Sequence, residues 1–230
     1  MTAILSNLQA VHASINAAAT MAQRDMSNIT LLAVSKTVPA MVLREAYSLG
    51  QKAFGENFVQ EALDKMRELQ DLALEWHFIG PIQSNKTRAI AENFSWVHSV
   101  DRFKIAQRLS DQRPDNLPPL NICLQINISG ESSKGGVAPA DAQALAKAIS
   151  TLPRLKLRGL MAIPAPAEEL SEQRKPFAQM RALQTTLNST GFHLDTLSMG
   201  MSHDLTAAIL EGATIVRVGT AIFGQRNYVQ

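Results

Sequence analysis

The stretch Leu31-Leu32-Ala33-Val34-Ser35-Lys36-Thr37-Val38-Pro39 runs from apolar residues into a serine and then a lysine, with a proline three positions on. A short apolar run bounded by turn signals suits a strand buried on both faces. We read that strand over residues 29–35. A helix follows from near Pro39 through residues 41–50, because proline fits a first helical turn and Gly50 fits a C-terminal stop. The lysine therefore stands at the junction between the end of a strand and the start of a helix.

The same strand-then-helix unit recurs along the chain. Residues 52–57, 75–80, 95–100, 120–128, 156–163, 195–200 and 214–219 read as strands. Helical spacing fills residues 58–72, 85–94, 102–112, 139–150, 171–190 and 203–212, the fifth of these with Pro176 inside it. An opening segment with Ile4, Leu5, Leu8, Val11 and Ile15 on one helical face lies outside the repeat. Eight strands separated by helices predict an α/β fold, a single (β/α)8 TIM-type barrel spanning residues 1–230 with an additional N-terminal helix. A doubly wound open sheet satisfies the same periodicity, although no GxGxxG or GxxxxGK[ST] stretch supports a nucleotide-binding version of it.

The chain has 230 residues, 46% of them hydrophobic, with 22 Lys plus Arg against 20 Asp plus Glu. A net charge of +2 without a basic run gives no nucleic-acid footprint. The first twenty residues lack the pattern of a signal peptide, and no segment reads as a membrane span. Cys123 is the single cysteine and reads as a buried core thiol. Together these features lead us to expect a cytoplasmic protein.

In a barrel, the C-terminal strand ends share one face, where active sites are built. That face would gather Lys36, Asn57, His77, Asp101, Asn127, Met161, residues 198–202 and residues 217–220. Taken alone, Lys36 reads equally well as a surface lysine snorkelling to solvent. At the rim of a low-dielectric cavity, however, an amine loses its proton more readily and can add to an aldehyde to form a Schiff base.

Gly200 permits a positive-φ turn, and Ser202 stands where it could cap the helix that follows. The same serine, together with Gly219 and Thr220 after the last strand, could instead hold a dianionic phosphate. Arg217 could pair with a carboxylate or donate to a heteroaromatic ring nitrogen, leaving that nitrogen unprotonated. Pyridoxal 5′-phosphate carries an aldehyde, a ring nitrogen and a phosphate; a phosphorylated sugar and a simple anion remain open alternatives.

The segments LLAVSKTVP, FGENFVQEALDK, EWHFIGPIQSNK, QINISGESSKGG, RGLMAIP, LSMGMSHD and VRVGTAIFG occur in this order across nearly the whole chain. In these segments the chain resembles the YggS/PROSC family of pyridoxal phosphate homeostasis proteins. The resemblance implies the barrel of fold-type III pyridoxal phosphate enzymes, such as bacterial alanine racemase, without their additional β domain. It implies that Lys36 links covalently to pyridoxal 5′-phosphate, that Ser202, Gly219 and Thr220 hold the phosphate, and that Arg217 is the family arginine before the terminal glycine turn. Met201 would lie beside the phosphate and Asn57 on the cofactor side.

Phe58 stands where related sequences often carry tyrosine, so no phenolic donor is carried over. His77 reads either as lining the mouth or as a satisfied structural histidine. Asn85 and Lys86 read as a ligand contact or as a solvated helix start, and Glu131 and Lys134 as organisers of their loop. Neither Tyr47 nor Tyr228 sits in a racemase-like acid/base context.

By resemblance, the expected function is intracellular pyridoxal phosphate homeostasis, with Lys36 carrying or buffering the aldehyde without amino-acid turnover. The expected partners are the cofactor with free amino acids or apoenzymes, and the expected state is a monomer. A pyridoxal phosphate-dependent racemase, a phosphosugar Schiff-base enzyme and a non-binding scaffold are the alternatives.

Overall fold

The computed structural model describes residues 2–131 and 134–224. Its strands are β1 (Thr30–Val34), β2 (Ala53–Glu56), β3 (Glu75–Phe78), β4 (Trp96–Val100), β5 (Leu120–Gln125), β6 (Leu155–Met161), β7 (Thr196–Ser198) and β8 (Ile215–Val218). Each pairs in parallel with the next in sequence, and β8 returns to β1, so the sheet closes. Closure decides between the barrel and the open sheet.

The surrounding helices are α1 (Ala3–Met21), α2 (Ala40–Ser48), α3 (Val59–Glu68), α4 (Thr87–Asn93), α5 (Phe103–Gln112), α6 (Ala142–Ile149), α7 (Leu170–Ser189), α8 (Leu205–Leu210) and α9 (Thr220–Phe223). Pro39 caps α2 in an extended conformation, and Gly50 ends that helix at φ +98°. Pro176 is accommodated in the second turn of α7, where it removes one backbone donor. The extra helix α1 buries Leu8, Val11 and Ile15 and packs on α8 and α9. None of the described helices is long and apolar enough to cross a membrane.

Alternation along the strands separates two cores. Leu31, Ala33, Phe54, Phe78, Val97, Ile122, Leu124, Leu160, Leu197 and Val216 join the large apolar layer with the helices. The smaller cluster of Leu32, Ala53, Trp96, Cys123, Met161 and Ile215 occupies the opposite strand face, inside the barrel. Polar residues share that inward register. His77, His98, Ser198 and Arg217 are all buried, so the barrel interior mixes apolar packing with hydrogen-bonded groups.

Candidate functional site

Val34, Lys36, Met201, Ser202, His203, Arg217, Gly219 and Thr220 line one cavity of about 290 Å³. It lies where β1, β7 and β8 give way to their following turns. Six of the seven residues singled out as a cofactor site thus meet, although sequence separates Lys36 from the rest by more than half the chain. Asn57 lines a different cavity, of about 390 Å³, with Phe58, Pro81, Gln83 and Lys86 among its neighbours. The Asn57 Oδ1 atom is buried there without a hydrogen-bond partner among the described residues.

Lys36 sits in a turn just beyond β1, and its side chain is only partly buried. The next residue, Thr37, has φ +63°, a left-handed conformation that costs a β-branched residue energy. A buried charge cluster beneath the turn holds it. The Thr37 amide donates to Glu61 Oε1, and Lys65 Nζ donates to Glu61, to Ser35 O at 2.7 Å and to Glu56 Oε1 at 2.8 Å. Ser35 Oγ completes the cluster with a 2.6 Å bond to Glu56 Oε1. Burial raises the Glu56 pKa, with Lys65 and Ser35 opposing the shift. Of the two lysines near this turn, Lys65 is consumed by its acceptors, whereas the Lys36 amine has no hydrogen-bond partner among the described residues.

Arg217 is held in the reverse manner. Only 4% exposed, it donates through Nη1 to Ser198 O at 2.6 Å and Ser198 Oγ at 2.8 Å, and through Nη2 to Ala162 O at 2.9 Å. Burial pulls its pKa down to about 10, which still leaves a cation at neutral pH. These three bonds occupy three of the five guanidinium N–H groups and leave donors for the cavity.

Opposite the arginine, the turn from β7 to α8 depends on Gly200. Its φ is +95°, and a Cβ there would come within 2.5 Å of the Ala208 Cβ. Ser202 does not cap α8. Asp204 holds the N-cap position without a side-chain bond to the helix, and its Oδ1 accepts the Met201 amide at 2.6 Å, while Ser202 is left exposed at the cavity. Gly219 and Thr220 open α9, whose first amides have no intrahelical acceptor.

Other expected positions are placed differently. His77 is 1% exposed inside the barrel, stacked on Trp96 at 5.5 Å and 2.9 Å from His98, so the reading that puts it at the mouth is corrected in favour of a structural histidine. Cys123 is fully buried, and its pKa is pushed up to about 12 by burial. Glu131 and Lys134 form an ion pair at 2.8 Å, and Asn127 Nδ2 donates to the Glu131 carbonyl, which organises their loop. Phe58 is exposed. Tyr228 lies outside the described residues.

The reading of sequence alone missed Glu56, Glu61, Lys65 and Ala162, and it placed Ser198 on the strand-end face without its bond to Arg217. The first three have a weak signal in sequence, since Glu61 and Lys65 are four residues apart on a helix that directly follows Glu56. Ala162 gives none, because it acts through its carbonyl.

Known proteins resemble the chain along nearly its whole length. Residues 6–227 match the family described as the N-terminal domain of alanine racemase. A pyridoxal phosphate homeostasis protein of Pseudomonas aeruginosa is 62% identical over 99% of this chain and 98% of its own length. The structure of PipY from Synechococcus elongatus with PLP bound is 39% identical, has a TM-score of 0.82, and covers 96% of this chain and 100% of its own. Alanine racemase from Corynebacterium glutamicum shares the fold at 19% identity, with a TM-score of 0.72 over 97% of this chain and 61% of its own. From a closed barrel with a lysine and an arginine on one cavity, and from relatives that match it end to end, it follows that the chain belongs to the alanine racemase N-terminal domain family and, within it, to the pyridoxal phosphate homeostasis proteins.

Proposed function

We propose that this protein binds pyridoxal 5′-phosphate in the Lys36–Arg217 cavity and serves the homeostasis of that cofactor as a carrier or buffer. The observation that carries this reading is the convergence of Lys36, Met201, Ser202, Arg217, Gly219 and Thr220 on one cavity in a chain 39% identical to a PLP-bound relative. Bound pyridoxal 5′-phosphate supplies an aldehyde for reversible imine formation, an aromatic ring nitrogen and a dianionic phosphate. The chain's own donors suit each part. Lys36 offers an amine not engaged elsewhere, Ser202 and Thr220 offer hydroxyls beside the first amides of α9, and Arg217 offers a cation that can only donate. Asn57, in its separate cavity, is assigned to the cofactor side only by family resemblance.

A carrier needs reversible capture and release, and the loosely held lysine provides both. Racemisation needs a second base facing Lys36 across the substrate. Of the described residues lining the cavity, His203 is the other side chain that could accept a proton, and it sits next to Ser202 at the phosphate turn, 3.3 Å from Asp204. We therefore assign no amino-acid turnover. The protein acts as a monomer in the cytoplasm, exchanging cofactor with free amino acids or apoenzymes.

The test is borohydride reduction of protein purified with and without added cofactor, followed by peptide mass spectrometry. A pyridoxyl group on Lys36, absent from Lys36→Ala, is the expected result. No specific adduct after reconstitution would overturn the assignment, and alpha-proton exchange of an amino acid above controls would restore the racemase reading.

A further inference from the structure

Arg217 is the near end of a polar row that crosses the barrel interior. Ser198 Oγ, which accepts from Arg217 Nη1, lies 2.7 Å from His98 Nδ1, and His98 Nε2 lies 2.9 Å from His77 Nδ1. His77 Nε2 then approaches Glu75 Oε1 at 3.5 Å, an ion–dipole contact rather than a full hydrogen bond. Arg217, Ser198, His98 and His77 belong to β8, β7, β4 and β3 and are all buried. Glu75 is the first residue of β3, half-exposed at the mouth opposite the cavity.

The hydrogens along this row can be assigned from either end. Starting at Arg217, the guanidinium can only donate, so Ser198 Oγ accepts and its own proton goes to His98 Nδ1. His98 must then be protonated at Nε2, which makes His77 Nδ1 an acceptor and puts the His77 proton on Nε2. Starting at Glu75, a carboxylate can only accept, so the nitrogen facing it is best occupied by a proton; this again places the His77 proton on Nε2.

The reversed row would turn a ring lone pair toward the carboxylate and leave the Ser198 proton without an acceptor among the described residues. Both histidines are kept neutral by burial, which lowers their pKa, that of His98 well below the ordinary value. The far end is fixed as well. Trp96 stacks on His77 with an interplanar angle of 3°, donates its indole N–H to Glu75 Oε1 at 2.7 Å, and is covered by the Arg158 guanidinium at 4.8 Å.

We propose that Arg217, Ser198, His98, His77 and Glu75 form a directional polar chain in which the proton of every link between members points away from the cofactor cavity. Ser198, His98, His77 and Glu75 are thereby positioning residues for Arg217. The chain keeps Arg217 the only charged member of the row within the barrel, and it lets a carboxylate at the far mouth fix how the arginine meets the ring of the ligand. The ligand clause rests on the proposed cofactor binding; the direction of the chain does not.

Heteronuclear NMR of the histidine ring nitrogens in the protein without added cofactor, assigned through His77→Gln and His98→Gln, tests the direction. Both rings are expected to be neutral with the proton on Nε2, and a proton on Nδ1 of either ring or an imidazolium at neutral pH overturns the chain. Glu75→Leu is expected to shift the ring signals of His98 as well as those of His77, with Glu75→Gln restoring them through its amide oxygen. A His98 ring unmoved in folded Glu75→Leu protein overturns the coupling.

In protein reconstituted with pyridoxal phosphate, Ser198→Ala is expected to shift the absorbance of the adduct while mass spectrometry still finds it on Lys36. An unchanged spectrum overturns the link to the ligand. Failure of the wild type to form any adduct overturns the cofactor reading instead, and the NMR measurements still decide the chain.

Discussion

Lys36 and Arg217 stand at the ends of β1 and β8, which pair through Leu32 and Arg217, and both face the same cavity. The lysine lies in a turn with a partly exposed side chain, and only the backbone around it is fixed. The arginine lies within a strand, fully enclosed, with three bonds to protein acceptors. Under the proposed cofactor binding, a lysine that forms and breaks an imine needs freedom at its reacting atom, and an arginine that meets a ring needs the fixed direction that burial among oxygens gives.

If the two cations are held as differently as this, their removal should separate stability from chemistry. Arg217→Leu would leave Ser198 Oγ and Ala162 O without donors inside the barrel, while Ser198 O would keep only the Ala162 amide at 3.3 Å. It should cost about 3–5 kcal/mol of unfolding free energy, since buried groups stripped of a charged partner are expensive. Lys36→Ala should change stability by less than about 0.5 kcal/mol, as expected for a partly exposed side chain without bonds. Urea unfolding of both variants checks the contrast, and equal losses would break it.

The next largest effect concerns what lies under the lysine. Lys65→Met strands Glu56 and Glu61 together and should lower stability by about 3 kcal/mol. It should also slow pyridoxyl trapping on Lys36, because the Thr37 turn loses its anchor. Trapping at the wild-type rate would show that the cluster holds only the core.

The arginine side has a dependence on pH. In the folded protein His77 and His98 have pKa values below the ordinary one, so below about pH 6.5 the unfolded chain binds more protons than the folded one. Stability is complete above that pH and falls as the pH drops toward the folded values. The loss is at most about 1.4 kcal/mol per pH unit for each ring. Denaturant midpoints at neutral and mildly acidic pH measure it, and His98→Gln should flatten the slope.

The smallest effect tests strain. Thr37→Gly relieves a left-handed threonine but adds chain entropy to the unfolded state, so a net gain of no more than about 1 kcal/mol is expected. A loss beyond that size would show that the Thr37 hydroxyl, which donates to Lys36 O at 2.6 Å, matters more than the strain.

Much of this was legible in the chain. The apolar run before Lys36, the proline that opens α2 and the glycine that ends it define a βα unit by local chemistry, and its repetition predicts the barrel. The small residues that line the cavity were also readable, because glycines, serine and threonine at strand ends are chosen for backbone reasons that sequence displays. Ser202 shows the limit. Its spacing suits a helix cap, yet Asp204 takes the N-cap position, since the bend at Gly200 starts the helix later.

His77 shows a second limit. Whether a strand residue faces the mouth or the interior depends on its depth along a closed sheet, which spacing within one strand does not fix. Sequence by itself determined the order of strands and helices and the chemical character of each strand end, because both follow from local periodicity and turn preference. Tertiary structure alone decided which ends meet and which nitrogen faces which oxygen across the interior. Those relations depend on barrel closure and register, which bring together residues as distant as Lys36 and Arg217 and as His98 and Ser198.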